Sequence, residues 1–109
     1  MVMQTTCNIT FVVNRHEEDE LVRYLRSELL PTLVGEDRQL QPQLKKVIES
    51  GGEPLSEEHG CSLALSLEFP AESAAKDWFE HKFLSEAGVF YKRFPESVFF
   101  MTLLQNIDI

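Results

Sequence analysis

The segment Cys-Ser-Leu-Ala-Leu-Ser-Leu-Glu-Phe, residues 61–69, alternates without interruption between apolar side chains and small or polar ones. A period of two is typical of a β-strand, because a strand directs successive side chains to opposite faces of its sheet. The apolar face needs a covering layer of helices, whereas the small face suits water, a ligand or a second subunit. The small face is therefore the first candidate for a functional surface.

Length and charge restrict the class of protein. A chain of 109 residues has the size of one domain, so we expect a single domain over residues 1–109. Its 18 acidic and 10 basic residues give a net charge of −8, which repels phosphate backbones and anionic membrane surfaces. We therefore expect no nucleic-acid partner and no membrane partner.

The composition of the first residues and the length of the apolar stretches indicate a cytoplasmic protein. The first residues lack a basic region followed by an apolar one, and no stretch is apolar for about eighteen residues, the length of a membrane span. The two cysteines, Cys7 and Cys61, have no Cys-x-x-Cys spacing. We expect both to be free thiols in a reducing compartment.

The first half of the chain predicts two strands and a helix. Thr5–Val13 alternates and is predicted as a strand. Asn14 is a potential cap for a helix to about Leu30, which Pro31 ends or bends. A weaker strand over residues 40–48 contains Pro42 and is placed at the sheet edge. The glycine-containing segment 50–60 is predicted as the loop of a long hairpin.

The second half predicts one helix and one strand. Ser73 is a potential cap for a helix that runs towards Phe94, and Gly88 is a point where this helix is expected to weaken or break. Residues 98–104 are apolar in every position but Thr102, so we expect a strand that is buried on both faces.

The resulting order β-α-β-β-α-β predicts an α+β fold of the ferredoxin-like type. Right-handed crossovers give a four-stranded antiparallel sheet with the strand order 4-1-3-2 and both helices on one face. The other face is expected to carry the candidate binding or dimer surface. Its predicted members are Asn8, Thr10, Val12, Ser62, Ala64, Ser66 and Met101.

Packing of that face against a second copy predicts a homodimer, and a dimeric α+β barrel is one arrangement compatible with it. In such a dimer the last strand and residues 105–109 would contact the partner. A small ligand or another protein on the face is an alternative. The remaining alternative is an ordinary solvated face with scattered apolar side chains.

Two stretches resemble a known family. Phe99-Phe100-Met101-Thr102-Leu103-Leu104, preceded by Arg93-Phe94, and the Leu30-Pro31 pair after the first helix are similar to motifs of a short bacterial family. That family is catalogued as a domain of unknown function, number forty-two eighty-six. The resemblance implies the ferredoxin-like fold and the chain length. It implies no activity, because the family has none assigned.

Chemical groups point to no catalytic centre. The three histidines, His16, His59 and His81, lack a positioned partner, and the group around His59 and Cys61 does not have the spacing of a zinc site. We therefore predict no catalytic residue, no metal and no cofactor. The favoured hypothesis is a non-enzymatic dimerisation or binding module.

The alternative is a small cofactor-free enzyme of the dimeric α+β barrel type, similar in architecture to the antibiotic-biosynthesis monooxygenases. Its active site would be a pocket between sheet and helices. Four residues are predicted to line that pocket: Asn8, Thr10, Trp78 and Phe79.

Overall fold

A computed structural model of the chain describes residues 4–35, 38–48 and 61–107. Four strands form one antiparallel sheet: β1 (Thr5–Val13), β2 (Gln43–Lys46), β3 (Cys61–Phe69) and β4 (Val98–Gln105). Their order across the sheet is β2-β3-β1-β4, which is the predicted order read from the other edge. The ferredoxin-like α+β fold is thereby confirmed.

The first helix spans residues 15–34 and continues through Pro31, where an end or a bend was expected. It begins as a 3-10 turn at Arg15–Glu17, is α-helical at Glu18–Tyr24, widens to a π-helix at Leu25–Leu29 and returns to α at Leu30–Val34. The wider turn comes directly before the proline, whose ring would clash with the carbonyl four residues back in a regular helix. The π-helix therefore lets the chain continue through Pro31.

The second helix spans residues 72–93 and departs from the prediction at two points. Its first residue is Glu72, preceded by Ala71 without a side-chain cap, so the cap predicted at Ser73 is wrong. The irregular turns, a π-helix at Phe79–Phe83 followed by a 3-10 turn, precede Gly88, which itself lies in the last regular segment. The weak point is thus earlier than the glycine.

β2 is shorter than expected. A 3-10 turn at Arg38–Leu40 replaces the predicted start of the strand, and pairing with β3 begins at Gln43, after Pro42. The edge position is confirmed, and β2 and β3 pair as in a hairpin. The predicted loop at residues 50–60, which includes His59, lies outside the described residues.

Aromatic side chains fill the space between the sheet and the helices. Phe11, in the middle of β1, lies 5.4 Å from Phe90, 6.2 Å from Phe83 and 6.3 Å from Phe99, measured between ring centroids. The end of the second helix is also joined to the middle of the first, since Arg93 forms an ion pair with Glu28 and lies over the ring of Tyr24. The helix-facing layer is therefore a closed core, as the alternation of β1 and β3 predicts.

β4 is not buried on both faces. Its helix-facing residues Phe99, Met101 and Leu103 are half-buried, whereas Phe100 on the other face is 54% exposed. Two helices cover one face of the sheet, and none of the described residues of a single chain covers the second apolar face of β4. The prediction of a doubly buried strand is wrong for one copy of the protein.

Candidate functional site

The strand register defines the surface opposite the helices. Asn8 of β1 pairs with Ser66 of β3 and with Thr102 of β4, and side chains in register share one face. We call this surface the open face. Its described members are Thr6, Asn8, Thr10, Val12, Gln43, Lys45, Ser62, Ala64, Ser66, Glu68, Val98, Phe100, Thr102 and Leu104.

Six of the seven predicted site residues share the open face, and Met101 does not. Met101 pairs with Ile9, which is fully buried under the helices, and Met101 itself packs against that core. Its neighbour Phe100 pairs with Thr10 and takes the place that was predicted for Met101. Both faces of β4 are apolar, so alternation alone does not distinguish them, and only the register with β1 does.

The pocket predicted for the enzyme alternative does not form. Asn8 and Thr10 belong to the open face, whereas Trp78 lies on the helix side, with its ring 5.4 Å from that of buried Phe69. Phe79 stacks on Phe83 at 5.3 Å, also within the helix layer. The sheet therefore lies between Asn8 and Thr10 on one side and Trp78 and Phe79 on the other, so these four residues do not line one pocket.

Two pairs of polar side chains on the open face are hydrogen-bonded to each other. The hydroxyl of Thr6 donates to the carboxylate of Glu68, at 2.8 and 2.9 Å to its two oxygens. The amide of Asn8 donates to the hydroxyl of Thr10 at 3.1 Å. All four residues are half-buried within a single chain. Covering them costs less free energy than covering unpaired polar groups would.

Charge is nearly absent from the open face. Among its described side chains only Lys45 and Glu68 are charged, and their charges are opposite. The chain as a whole has a net charge of −8, so the excess acid lies elsewhere. Depletion of charge at the centre of a surface is the compositional mark of a protein interface.

An exposed apolar column borders the small centre. It consists of three side chains of β4, Val98, Phe100 and Leu104, whose exposed fractions are 53%, 54% and 51%. They lie beside the small residues of β1, for example Phe100 beside Thr10. From the sequence, both faces of this strand were expected to be buried, so the exposure of the column was not predicted. An edge strand with two apolar faces and one helix layer leaves one face open.

Titratable side chains elsewhere do not converge on a reactive site. His16 lies 3.7 Å from Glu17, and His81 lies 3.3 Å from Asp77, both on exposed helix surfaces. In the part of the chain that the structure describes, no three metal-ligating side chains form a group.

The two thiols differ in accessibility. Cys7 is fully buried, and burial raises the pKa of its thiol to about 11. Cys61 is half-buried, and the pKa of its thiol is raised mainly by burial and further by Glu18, against the opposing charges of Lys46 and Arg15. Thiolates are the reactive form, so neither cysteine has the character of a nucleophile.

We expect a thiol reagent such as a disulfide dye to modify Cys61 at least tenfold faster than Cys7 in the native protein at pH 8. Cys7 reacts only after the fold opens, because no part of it reaches solvent. Stopped-flow absorbance on Cys7→Ala and Cys61→Ala separates the two rates. Unfolding in denaturant is the control, since it should make the rates equal. Equal rates in the native state would contradict the buried position of Cys7.

Solved structures with similar folds were found at low sequence identity. A dimeric ferredoxin-like protein from an uncultured marine organism matches with a TM-score of 0.68 and 15% identity over 98% of each chain. A protein of unknown function from Nitrosomonas europaea matches with a TM-score of 0.63 and 9% identity, over 99% of this chain and 93% of that one. These similarities show the fold.

A third solved structure of similar fold is described as a member of a named family. It is an ethyl tert-butyl ether D family protein from Bacillus halodurans, with a TM-score of 0.56 and 11% identity, over 96% of this chain and 99% of that one. No protein-family model matches the sequence, and no curated protein matches it either. None of the described helices is long and apolar enough to cross a membrane.

Proposed function

We propose that this protein is a non-enzymatic self-association module in which the open face packs against the open face of a second copy. The observation that carries the proposal is the composition of that face: it is poor in charge, two pairs of its polar side chains are hydrogen-bonded to each other, and an exposed apolar column lies beside them. The marine protein of similar fold is described as dimeric, which supports the same state for this chain.

The size of the open face suits such a contact. The strands have nine, four, nine and eight residues, and at about 4.8 Å between strands and 3.3 Å per residue they cover roughly 450–500 Å² in projection. The relief of the side chains increases this area, which brings it near the ~800 Å² per partner of a stable interface. Packing of two sheets face to face at about 10 Å would cover the column of Val98, Phe100 and Leu104 in both copies.

A second copy is also the partner that the charges favour. Two chains of net charge −8 repel each other in most orientations. The open face avoids this repulsion, because Lys45 and Glu68 cancel. A two-fold axis then brings the neutral open face of one copy into contact with the identical face of the other, as in most homodimers.

The arginine pair Thr10→Arg/Ser66→Arg tests the proposal. Two cations in the centre of the face would have to be desolvated and would meet their copies, so we expect the native molecular mass to be halved. Light scattering measures the mass against the 12.6 kDa of one chain. The control is Ser73→Arg/Gly88→Arg, which adds the same charge on the exposed surface of the second helix.

Two results would overturn the open-face contact. One is a native mass of a single chain, and the other is a mass that the arginine pair leaves unchanged. A small ligand on the same face is the alternative occupant. The cofactor-free enzyme is disfavoured because the four residues expected to line its pocket lie on opposite sides of the sheet. The cytoplasmic location and the resemblance to the uncharacterised bacterial family stay predictions.

A further inference from the structure

The two edges of the sheet are built differently. β2 has four residues, two of them the lysines Lys45 and Lys46, and Pro42 lies just before it. Lys46 is also bound to Glu18 at 2.8 Å. Short length, lysines and a nearby proline are the features by which natural sheets prevent another strand from adding to an edge. The β2 edge is therefore protected.

The β4 edge has none of these features. β4 has eight residues, Val98–Gln105, with no charge, no proline and no interruption of its register with β1. Among the described strands β1 is its only neighbour. Alternate backbone N–H and C=O groups of β4 therefore point outward without a strand partner in the described part of the chain.

Apolar side chains flank the β4 edge on both sides. The open-face side carries the column of Val98, Phe100 and Leu104. On the helix side, the ring of Tyr91 stacks on Phe99 at 5.5 Å and is 41% exposed. The side chains of the described residues that flank the edge on both sides are thus largely apolar.

We propose that the β4 edge pairs with β4 of a second copy in antiparallel orientation, around a two-fold axis normal to the sheet. This contact is separate from the packing of open faces, and neither requires the other. It would join two four-stranded sheets into one of eight strands, with all helices on the same side and the two open faces continuous.

Two central antiparallel registers keep the open-face and the helix-facing side chains of both copies on their own sides of the sheet. In both registers the β4 sequence places apolar side chains opposite each other. With Met101 opposite its copy, Val98 lies opposite Leu104 and Phe99 lies opposite Leu103. With Thr102 opposite its copy, Phe100 lies opposite Leu104. Apolar cross-strand pairs of this kind stabilise a sheet by roughly 0.2–1 kcal/mol each, which is why a second copy fits the edge.

Amide hydrogen exchange in the Thr10→Arg/Ser66→Arg variant tests the edge with the open face disabled. With both contacts formed the native protein contains four chains, so we expect this variant, which keeps only the edge contact, to have a mass of twice 12.6 kDa. We also expect slow exchange at the outward amides of β4, with protection that falls on dilution. A single-chain mass with fast exchange at those amides would overturn the edge contact. The arginines lie on the two central strands and leave the sequence of β4 unchanged.

A charge exchange at Thr102 gives a second test in the same background. Thr102 is exposed, and in either register it lies opposite or diagonal to its copy. Thr102→Lys alone and Thr102→Glu alone should each lower the association constant at least tenfold, and an equal mixture should restore it. Circular dichroism verifies that each variant is folded. A mixture no stronger than the single variants, or single variants without loss, would overturn the proposal.

The same measurements distinguish rejection of the open-face contact from rejection of the edge contact. Halving of the native mass by the arginine pair supports the open face whatever β4 does. An unchanged dimer mass with protected β4 amides rejects the open face and retains the edge. A native dimer that becomes a monomer, with unprotected β4 amides, retains the open face and rejects the edge.

Discussion

Phe11→Ala lowers the free energy of unfolding by about 3–5 kcal/mol, the usual cost of removing a buried phenyl ring from a core. Phe11 is fully buried, and its ring is close to those of Phe83, Phe90 and Phe99. It therefore joins the central strand to both the second helix and β4. A loss of this size is a large part of the ~5–15 kcal/mol that stabilises an ordinary domain.

Urea denaturation monitored by circular dichroism measures this loss, at one fixed protein concentration because association stabilises the fold. Phe11→Leu is the matched control, and it should cost clearly less because it keeps most of the apolar volume. Leu84→Ala, on the exposed side of the second helix, should change stability by about 0.5 kcal/mol or less. A loss below about 1 kcal/mol for Phe11→Ala would show that this aromatic cluster is not the core.

Thr5→Val and Thr6→Val change stability in opposite directions, although the two residues are adjacent. Thr5 is 2% exposed, and its hydroxyl has no hydrogen-bond partner within the described residues. A buried hydroxyl without a partner costs roughly 1–3 kcal/mol, so its replacement by a methyl group should raise the free energy of unfolding by about 1 kcal/mol. Thr6 faces the other side and donates to Glu68, so Thr6→Val should lower it by a similar amount.

Each of these threonine variants is the control for the other, because both replace a hydroxyl by a methyl group on β1. Chemical denaturation at pH 7 gives the two values. A loss of stability in Thr5→Val would mean that its hydroxyl is hydrogen-bonded in solution.

Alternation was sufficient for the central part of the fold. Thr5–Val13 and Cys61–Phe69 have the predicted bounds, because each strand has one face under the helices and a different kind of side chain on the other. The sheet order followed from the order of elements, since right-handed crossovers leave one arrangement. The six open-face residues on these two strands were identified for the same reason.

Prediction failed where local signals were ambiguous. Proline commonly ends or bends a helix, but at Pro31 a preceding π-helix accommodates it. No sequence pattern predicts that π-helix. Met101 was assigned to the wrong face because β4 is apolar on both sides, so that its orientation depends on pairing with a distant strand. The charge depletion of the open face also required the register, since Lys45 and Glu68 are far apart in the chain.

The position of β1 in the sheet has a consequence for folding kinetics. Its two neighbours come late in the chain, and Thr5 pairs with both Phe69 and Gln105. The sheet therefore nucleates only when widely separated segments meet, and closure of long loops precedes any gain from pairing. Helix formation within residues 15–34 and 72–93 is fast by comparison. The folding rate of this protein is thus limited by the search for strand partners.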